Sequence, residues 1–249
     1  MTASAPLPGP SLGRLTGVEL RKLADTRAGA WLLAGVGLVT AATAVIAAVA
    51  ARVDDPALVR VLSSALQGAG ALLPLIATLG ATAEWSKRTA TTTFALVPRR
   101  ERAVAAKAGA VLLLALAALV AALAASAAAT ALAGGAWTLP AAALGRGALY
   151  LGVSALAGFA VGLAAQSTPP AIAVQLLAPI AFVSLATAVP SLADLVHWLD
   201  LVTPGTRLAR VDHAFSGRDL AQLTTGTALW LALPLAAGVA RLRRQDVSA

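Results

Sequence analysis

The stretch AGAWLLAGVGLVTAATAVIAAVAA, Ala28 to Ala51, runs for 24 residues without one charged side chain. At ~1.5 Å rise per residue a helix of that length covers about 36 Å. The hydrocarbon core of a bilayer is about 30 Å thick and asks for roughly 20 apolar residues. A soluble core needs no such length. Five further runs follow: Val61–Ala83, Ala108–Ala133, Gly147–Gln166, Pro169–Pro190 and Ala221–Ala240, none of which contains Asp, Glu, Lys, Arg or His. The composition agrees: 59% hydrophobic, 12% charged and a mean hydropathy of +0.82, where a soluble domain carries about 25% charged residues. The pattern predicts an all-α integral membrane protein with six transmembrane helices. The fourth and fifth runs are split by QSTPP (Gln166–Pro170). A Pro pair ends one helix and can open the next, because only the first turn can spare an N–H.

Charge sets the orientation. With six spans both termini share a side. The N-terminal segment, the loop after span two and the C-terminal tail hold thirteen of the nineteen Lys/Arg, and that face carries the whole formal charge of +8. By the positive-inside rule it is the cytoplasmic face. The pI near 11.4 therefore reflects topology and contact with anionic membrane lipids, and no motif points to nucleic acid. The chain divides into a cytoplasmic tail with an amphipathic helix (1–27), the six-helix domain (28–240) and a second tail (241–249). A cytoplasmic loop (84–107) and an external loop (191–220) lie within the domain. The N-terminus lacks a signal peptide's apolar core, so the first run is expected to stay as an anchor. Sixteen of nineteen basic residues are Arg and alanine is abundant, usage that fits a G+C-rich bacterium and a bacterial plasma membrane.

The spans exclude several chemistries. There is no cysteine, and no G-x-x-x-x-G-K-[ST] loop to cradle nucleotide phosphates. Proton relays and ion sites leave ionisable groups at depth. Here the spans offer only Gln67, Gln166, Gln175 and Gln222 with scattered Ser and Thr, which weakens a secondary carrier. Uphill transport would draw its energy from another chain. Ser154, Gly158 and Gly162 share a helix face, and that face favours intramolecular packing over a dimer seam. Pro74, Pro179 and Pro234 fall inside spans and each can kink its helix.

Between spans two and three stands EWSKRTATTTFALVPRRERAVAAK (Glu84–Lys107), with six Lys/Arg and four Thr. One reading is a passive positive-inside anchor. The other is a docking element, since Phe94 to Val97 form an apolar patch beside Pro98 and the cluster Arg99–Arg102. A helix lying across the membrane face would present that patch to a partner or to lipid. From Arg99 onward the chain can run helically into span three. In SLGRLTGVELRKLADTR, Leu12, Leu15, Val18 and Leu23 fall near one helical face, with Arg14, Arg21 and Lys22 available for headgroups.

These two segments, GVELRKLADTRAGAWLL and EWSKRTATTTFALVPRRERAVAAK, resemble the matching segments of the permease subunits of bacterial type-2 ABC exporters. Glu84, Thr89, Thr91, Pro98, Arg99, Arg100 and Lys107 sit at matching places. The resemblance implies a cytoplasmic coupling helix in the second loop that docks on a separate ABC ATPase. Two copies of that ATPase, carrying ATP and Mg, would serve two permease subunits in a homo- or heterodimer. It places ATPase coupling on Glu84, Lys87, Arg88, Thr91, Phe94, Pro98, Arg99, Arg100 and Arg102. The interface helix would contribute Glu19, Arg21, Lys22 and Arg27. Spans two and five would line the path, which nominates Gln67 and Gln175. No catalytic residue or cofactor is expected in this chain. The alternatives are a membrane-embedded immunity or scaffold protein without a transport cycle, and a secondary carrier.

In the external loop Leu192, Leu195, Trp198, Leu199 and Val202 form an amphipathic stripe that predicts a short helix at the outer membrane surface. Asp194, His197, Asp200, Asp212 and His213 match no metal-ligand spacing, and ordinary interfacial polar roles are expected for them.

Overall fold

The computed structural model describes residues 11–51, 57–86, 100–210 and 214–244. Among these residues every regular element is helical, and six helices are long and apolar enough to cross a membrane. The chain is an all-α, multi-pass membrane protein.

Helix α1 (Leu12–Ala24) begins at Ser11, whose hydroxyl accepts from the Arg14 N–H, and ends at Asp25. Thr26 then caps α2 (Arg27–Ala50) by accepting from the Gly29 N–H at 3.1 Å. The turn between them is so tight that a Cβ on Gly29 would stand 1.8 Å from the Leu23 carbonyl oxygen. Next come α3 (Leu58–Ser86), α4 (Arg100–Ala133), α5 (Ala141–Ala165) and α6 (Thr168–Ala188). Two short helices, α7 (Ala193–Leu199) and α8 (Val202–Ala209), precede α9 (Gly217–Thr227). A π-helical turn, Ala228–Ala232, joins α9 to α10 (Leu233–Arg244), so that the two make one span.

The helices outrun the uncharged runs of the sequence. Glu84 closes α3 from inside it, Lys107 lies two turns into α4, and Arg146 lies in the second turn of α5. Hydropathy marks only what must sit in hydrocarbon, whereas a helix continues until its backbone finds other partners. At the start of α3 those partners come from the segment after α4: the Leu58 and Val59 N–H groups donate to the Ala136 and Thr138 carbonyls at 2.9 and 3.1 Å.

Helix α3 is the axis of the bundle and packs most extensively on α5 and α2. Association in lipid has no hydrophobic drive, so close contact between small residues supplies the packing. Ala65, Ala69, Ala77 and Ala81 of α3 are fully buried. Gly158 and Gly162 of α5 lie against the α3 backbone: Cβ atoms there would come within 2.3 Å of the Pro74 carbonyl oxygen and 2.9 Å of the Ala81 Cβ. The small-residue face is an internal seam, as its spacing favoured. Helix α6 is the opposite case, with Leu176, Leu177, Ile180 and Val183 exposed along it.

The QSTPP hairpin has the expected form. Helix α5 ends at Ala165, and Pro169 and Pro170 stand in the first turn of α6. The reversal falls on Gln166, which adopts a left-handed φ of 52°. Pro234 stands two residues after the π turn. It has no N–H for the Trp230 carbonyl, and the wider turn gives its ring room. The stripe from Leu192 to Val202 forms two helices rather than one. Asp200 breaks it, because its carboxylate accepts from the Val202 and Thr203 N–H groups at 2.8 and 2.9 Å and starts α8 afresh.

Candidate functional site

Four charges meet where α1 crosses the ends of α3 and α4. Lys107 Nζ lies 2.7 Å from Glu19 Oε2 and 3.1 Å from Glu84 Oε1. Lys22 Nζ lies 2.7 Å from Glu19 Oε1 and 3.7 Å from Glu84 Oε1. Two carboxylates and two ammonium groups balance. The Lys107 and Glu84 side chains are only 7% and 5% exposed, which makes theirs a buried pair, whereas Lys22 is 48% exposed. Glu84 meets Lys107 as a charge contact outside hydrogen-bond geometry, and its Oε2 has no hydrogen-bond partner among the described residues. At Glu19 burial pushes the carboxyl pKa up, but the charges and hydrogen bonds of Lys107 and Lys22 outweigh it and leave it below its ordinary value.

The location gives this network its interest. Glu84 stands two residues before the end of α3 and Lys107 stands in the second turn of α4, so the pair bridges the two ends of the basic loop. Glu19 and Lys22 bring α1 into the same cluster. The end of α10 arrives nearby, with Arg243 paired to Glu101 and the Arg241 guanidinium donating to the Ala164 carbonyl at 2.9 Å. The two helices that flank the loop, α1 and the C-terminal helix are thus cross-linked at one end of the bundle.

The other sequence-predicted coupling residues divide in two. Lys87, Arg88, Thr91, Phe94, Pro98 and Arg99 lie outside the described residues, as does the Arg100 side chain; Arg100 itself opens α4. Arg102 is in the first turn of that helix, and Arg21 and Arg27 are exposed. Glu84 is buried in the network, so in this conformation it acts on its neighbours and presents no surface to a partner.

The structure brings the two glutamines of the sequence reading to one cavity. A space of ≈ 470 Å³, within the size range of small-molecule sites, lies between α3, α5, α6, α8 and the π turn. Gln67 and Gln175 both line it, with Ser154, Tyr150 and Trp230. The Gln67 amide donates to the Ser63 carbonyl one turn back at 3.2 Å. The Gln175 amide donates to the Thr78 hydroxyl, which itself donates toward the Pro74 and Gly158 carbonyls at 2.9 Å. The Gln175 Oε1 is buried without a partner among the described residues. The Tyr150 ring stands between two glycines: a Cβ on Gly70 would lie 2.2 Å from its hydroxyl, and one on Gly205 would lie 3.4 Å from its ring. Trp230 meets Phe182 edge-on at 6.0 Å and donates its indole N–H to the Leu199 carbonyl at 2.8 Å.

Tyr150, Thr78 and Trp230 are contributors that sequence reasoning did not single out. Tyr150 is the chain's one tyrosine and sits in a run otherwise lacking polar rings, a faint signal at best.

At the opposite end of the bundle Arg146 holds α8. Its guanidinium donates to the Leu208, Arg207 and Arg210 carbonyls at 3.2, 3.1 and 3.0 Å, which closes the C-terminus of α8. A cation there also suits the helix dipole. Arg207 pairs with Asp219 at 2.7 Å, and Asp219 forms a capping box with Ser216 at the start of α9. Two acids of this segment have structural duties: Asp194 pairs with Arg218, and Asp200 accepts from the first two N–H groups of α8. Asp212 and His213 lie outside the described residues.

Comparison of the chain with protein-family models and with curated proteins returns no match.

Proposed function

We propose that the chain is the permease subunit of an ATP-driven ABC exporter in a bacterial plasma membrane, with both termini and the 84–107 loop in the cytoplasm. The observation that carries the reading is the buried Lys107–Glu84–Glu19 network. A loop pushed by a partner moves a bundle only if its ends are rigidly attached, and this network attaches both ends to each other and to α1. The charge-poor spans are consistent with an external energy source. ATP and Mg would be bound and hydrolysed on two copies of a separate ATPase, and a second permease subunit would complete the path. The cavity holding Gln67 and Gln175 would be one wall of that path. This chain would itself be no enzyme.

The test is affinity purification from native membranes under mild solubilisation, with mass spectrometry of what co-elutes. A stoichiometric ATPase that is lost when residues 87–99 are replaced by a Gly/Ser linker supports the reading. Absence of any ATPase in several detergents and in nanodiscs overturns it in favour of a scaffold or immunity role.

A further inference from the structure

The ≈ 470 Å³ cavity has walls of one character and a few polar groups of another. Leu75, Val161 and Phe182 are typical of its surface. Asp200 is the one carboxylate among the described lining residues, which include no Lys, Arg or His, and it is already spent on two backbone N–H groups and the Thr203 hydroxyl. A charged guest would lose its hydration and find no free counter-charge, a heavy penalty. Neutral hydrogen-bonding capacity is left over, however. The Gln175 Oε1 is a buried acceptor without a partner among the described residues. The Tyr150 and Ser154 hydroxyls also line the space, and neither has a hydrogen-bond partner among the described residues. A pocket with an apolar body and a small convergent polar set orients a guest by its polar end.

We infer that this cavity binds an uncharged amphiphile, with its apolar body against α3 and α6 and a neutral hydroxyl, ester or amide group facing Gln175, Tyr150 and Ser154. Such a molecule gives the Tyr150 and Ser154 hydroxyls a partner beside the Gln175 carboxamide and leaves no charge unpaired. The assignment of this guest as cargo rests on the permease reading; the binding itself does not. An outer-leaflet lipid with a neutral headgroup and an exported small molecule share this chemistry.

The probe is radiolabelled 1-monolauroylglycerol, whose flexible chain conforms to any apolar cavity it can enter. Binding is measured by equilibrium dialysis against the full chain in phosphatidylcholine nanodiscs, with empty nanodiscs as background. Laurate and dodecyltrimethylammonium serve as anionic and cationic comparators. The expected result is saturable binding of about one molecule per chain, at least tenfold tighter than either comparator. Ala71→Phe, which projects a ring into the cavity from α3, should abolish it. Gln175→Leu should weaken monolauroylglycerol five- to fiftyfold, and weaken dodecane, which has no polar end, less than twofold. Circular dichroism confirms that each variant is folded, and Ala157→Phe stands in for Ala71→Phe if the latter is not. No saturable binding, equal binding of the charged comparators, or an unchanged filled-cavity variant would overturn the proposal. A phosphatidylcholine matrix replaced by neutral diacylglycerol-doped discs separates the two sources: competition by diacylglycerol marks a lipid guest, and its absence marks a smaller molecule. Because no ATPase is present, binding without a co-purifying ATPase leaves this inference standing and removes the permease reading, and the converse result does the reverse.

Discussion

Lys107 on α4 and Glu19 on α1 are 88 residues apart in sequence and meet at 2.7 Å. The ammonium group is almost wholly buried and also touches Glu84 at 3.1 Å. Removing one member of such a set leaves an uncompensated buried charge, typically about 3–5 kcal/mol. Lys107→Met should therefore lower the thermal midpoint sharply and release α1. Adding Glu84→Gln and Glu19→Gln to Lys107→Met should recover much of the loss, since no unpaired carboxylate remains. Thermal unfolding of the single and combined variants in one detergent measures this. Strict additivity would show that the three side chains are not coupled.

The same contact has a pH signature. The folded pKa of Glu19 is depressed, so its contribution to holding α1 is fully present above the ordinary carboxylate range. It is lost as pH falls through the depressed value. Lys22, Lys107 and Glu84 are the charged groups gathered around it. Proteolysis at Arg21 or Lys22 should thus accelerate below about pH 4.5. Glu19→Gln should be cleaved quickly at every pH, with the acid-induced step removed. An unchanged step in that variant would assign it to another group.

What the sequence revealed and what it hid follow from the range of the forces involved. Six spans are legible because a bilayer imposes length and apolarity on each segment separately, and α4 starting at Arg100 follows from an uninterrupted helix former run. The Gly158–Gly162 seam is likewise local, since its spacing lies within one helix. The ion network was only half visible. Glu19, Lys22 and Glu84 were singled out for a surface role, yet the fold buries Glu84 against Lys107, and no spacing rule relates positions on three helices. Gln67 and Gln175 were nominated through a resemblance, while their shared cavity depends on Tyr150 and Trp230 from two further spans. The split between α7 and α8 was missed because an amphipathic stripe continues through Asp200, and only its capping bonds show the break.

The α3–α5 seam gives a prediction with an internal control. A Cβ on Gly158 would fall 2.3 Å from the Pro74 carbonyl oxygen, and backbone cannot step aside as a side chain can. Gly158→Ala should cost about 1–3 kcal/mol. Gly35→Ala on α2 has nothing within 4 Å of the new methyl and should be neutral or slightly stabilising. Thermal unfolding of the pair checks both. A neutral Gly158→Ala would mean that the helices stand farther apart than described.

Arg146 predicts a specific failure of conservative replacement. Its planar guanidinium reaches three carbonyls that end α8, a spread no single ammonium group matches. Arg146→Lys should loosen α8 nearly as much as Arg146→Met, at about 1.5–3 kcal/mol for lost charged hydrogen bonds. Hydrogen exchange of the Arg207 to Arg210 amides reports it directly. Full rescue by Lys would show that charge at the helix end, and not the fork of donors, is what holds α8.

The loop itself supplies the last prediction, which concerns function. Arg100 opens α4 and Arg99 precedes it in the sequence, and the buried Glu84–Lys107 pair would carry any push on the loop into α3 and α1. Under the permease reading, Arg99→Glu with Arg100→Glu should leave expression and membrane insertion intact, because the other cytoplasmic Lys/Arg still fix the topology. ATP hydrolysis by the partner should then proceed without transport. Lys107→Met should give a different defect, with the ATPase still bound through an intact loop but the stroke no longer reaching α1. Comparing co-purified ATPase with ATP-dependent uptake into inverted vesicles separates the two. If both variants transport normally, the loop is a membrane anchor and its basic residues serve only orientation.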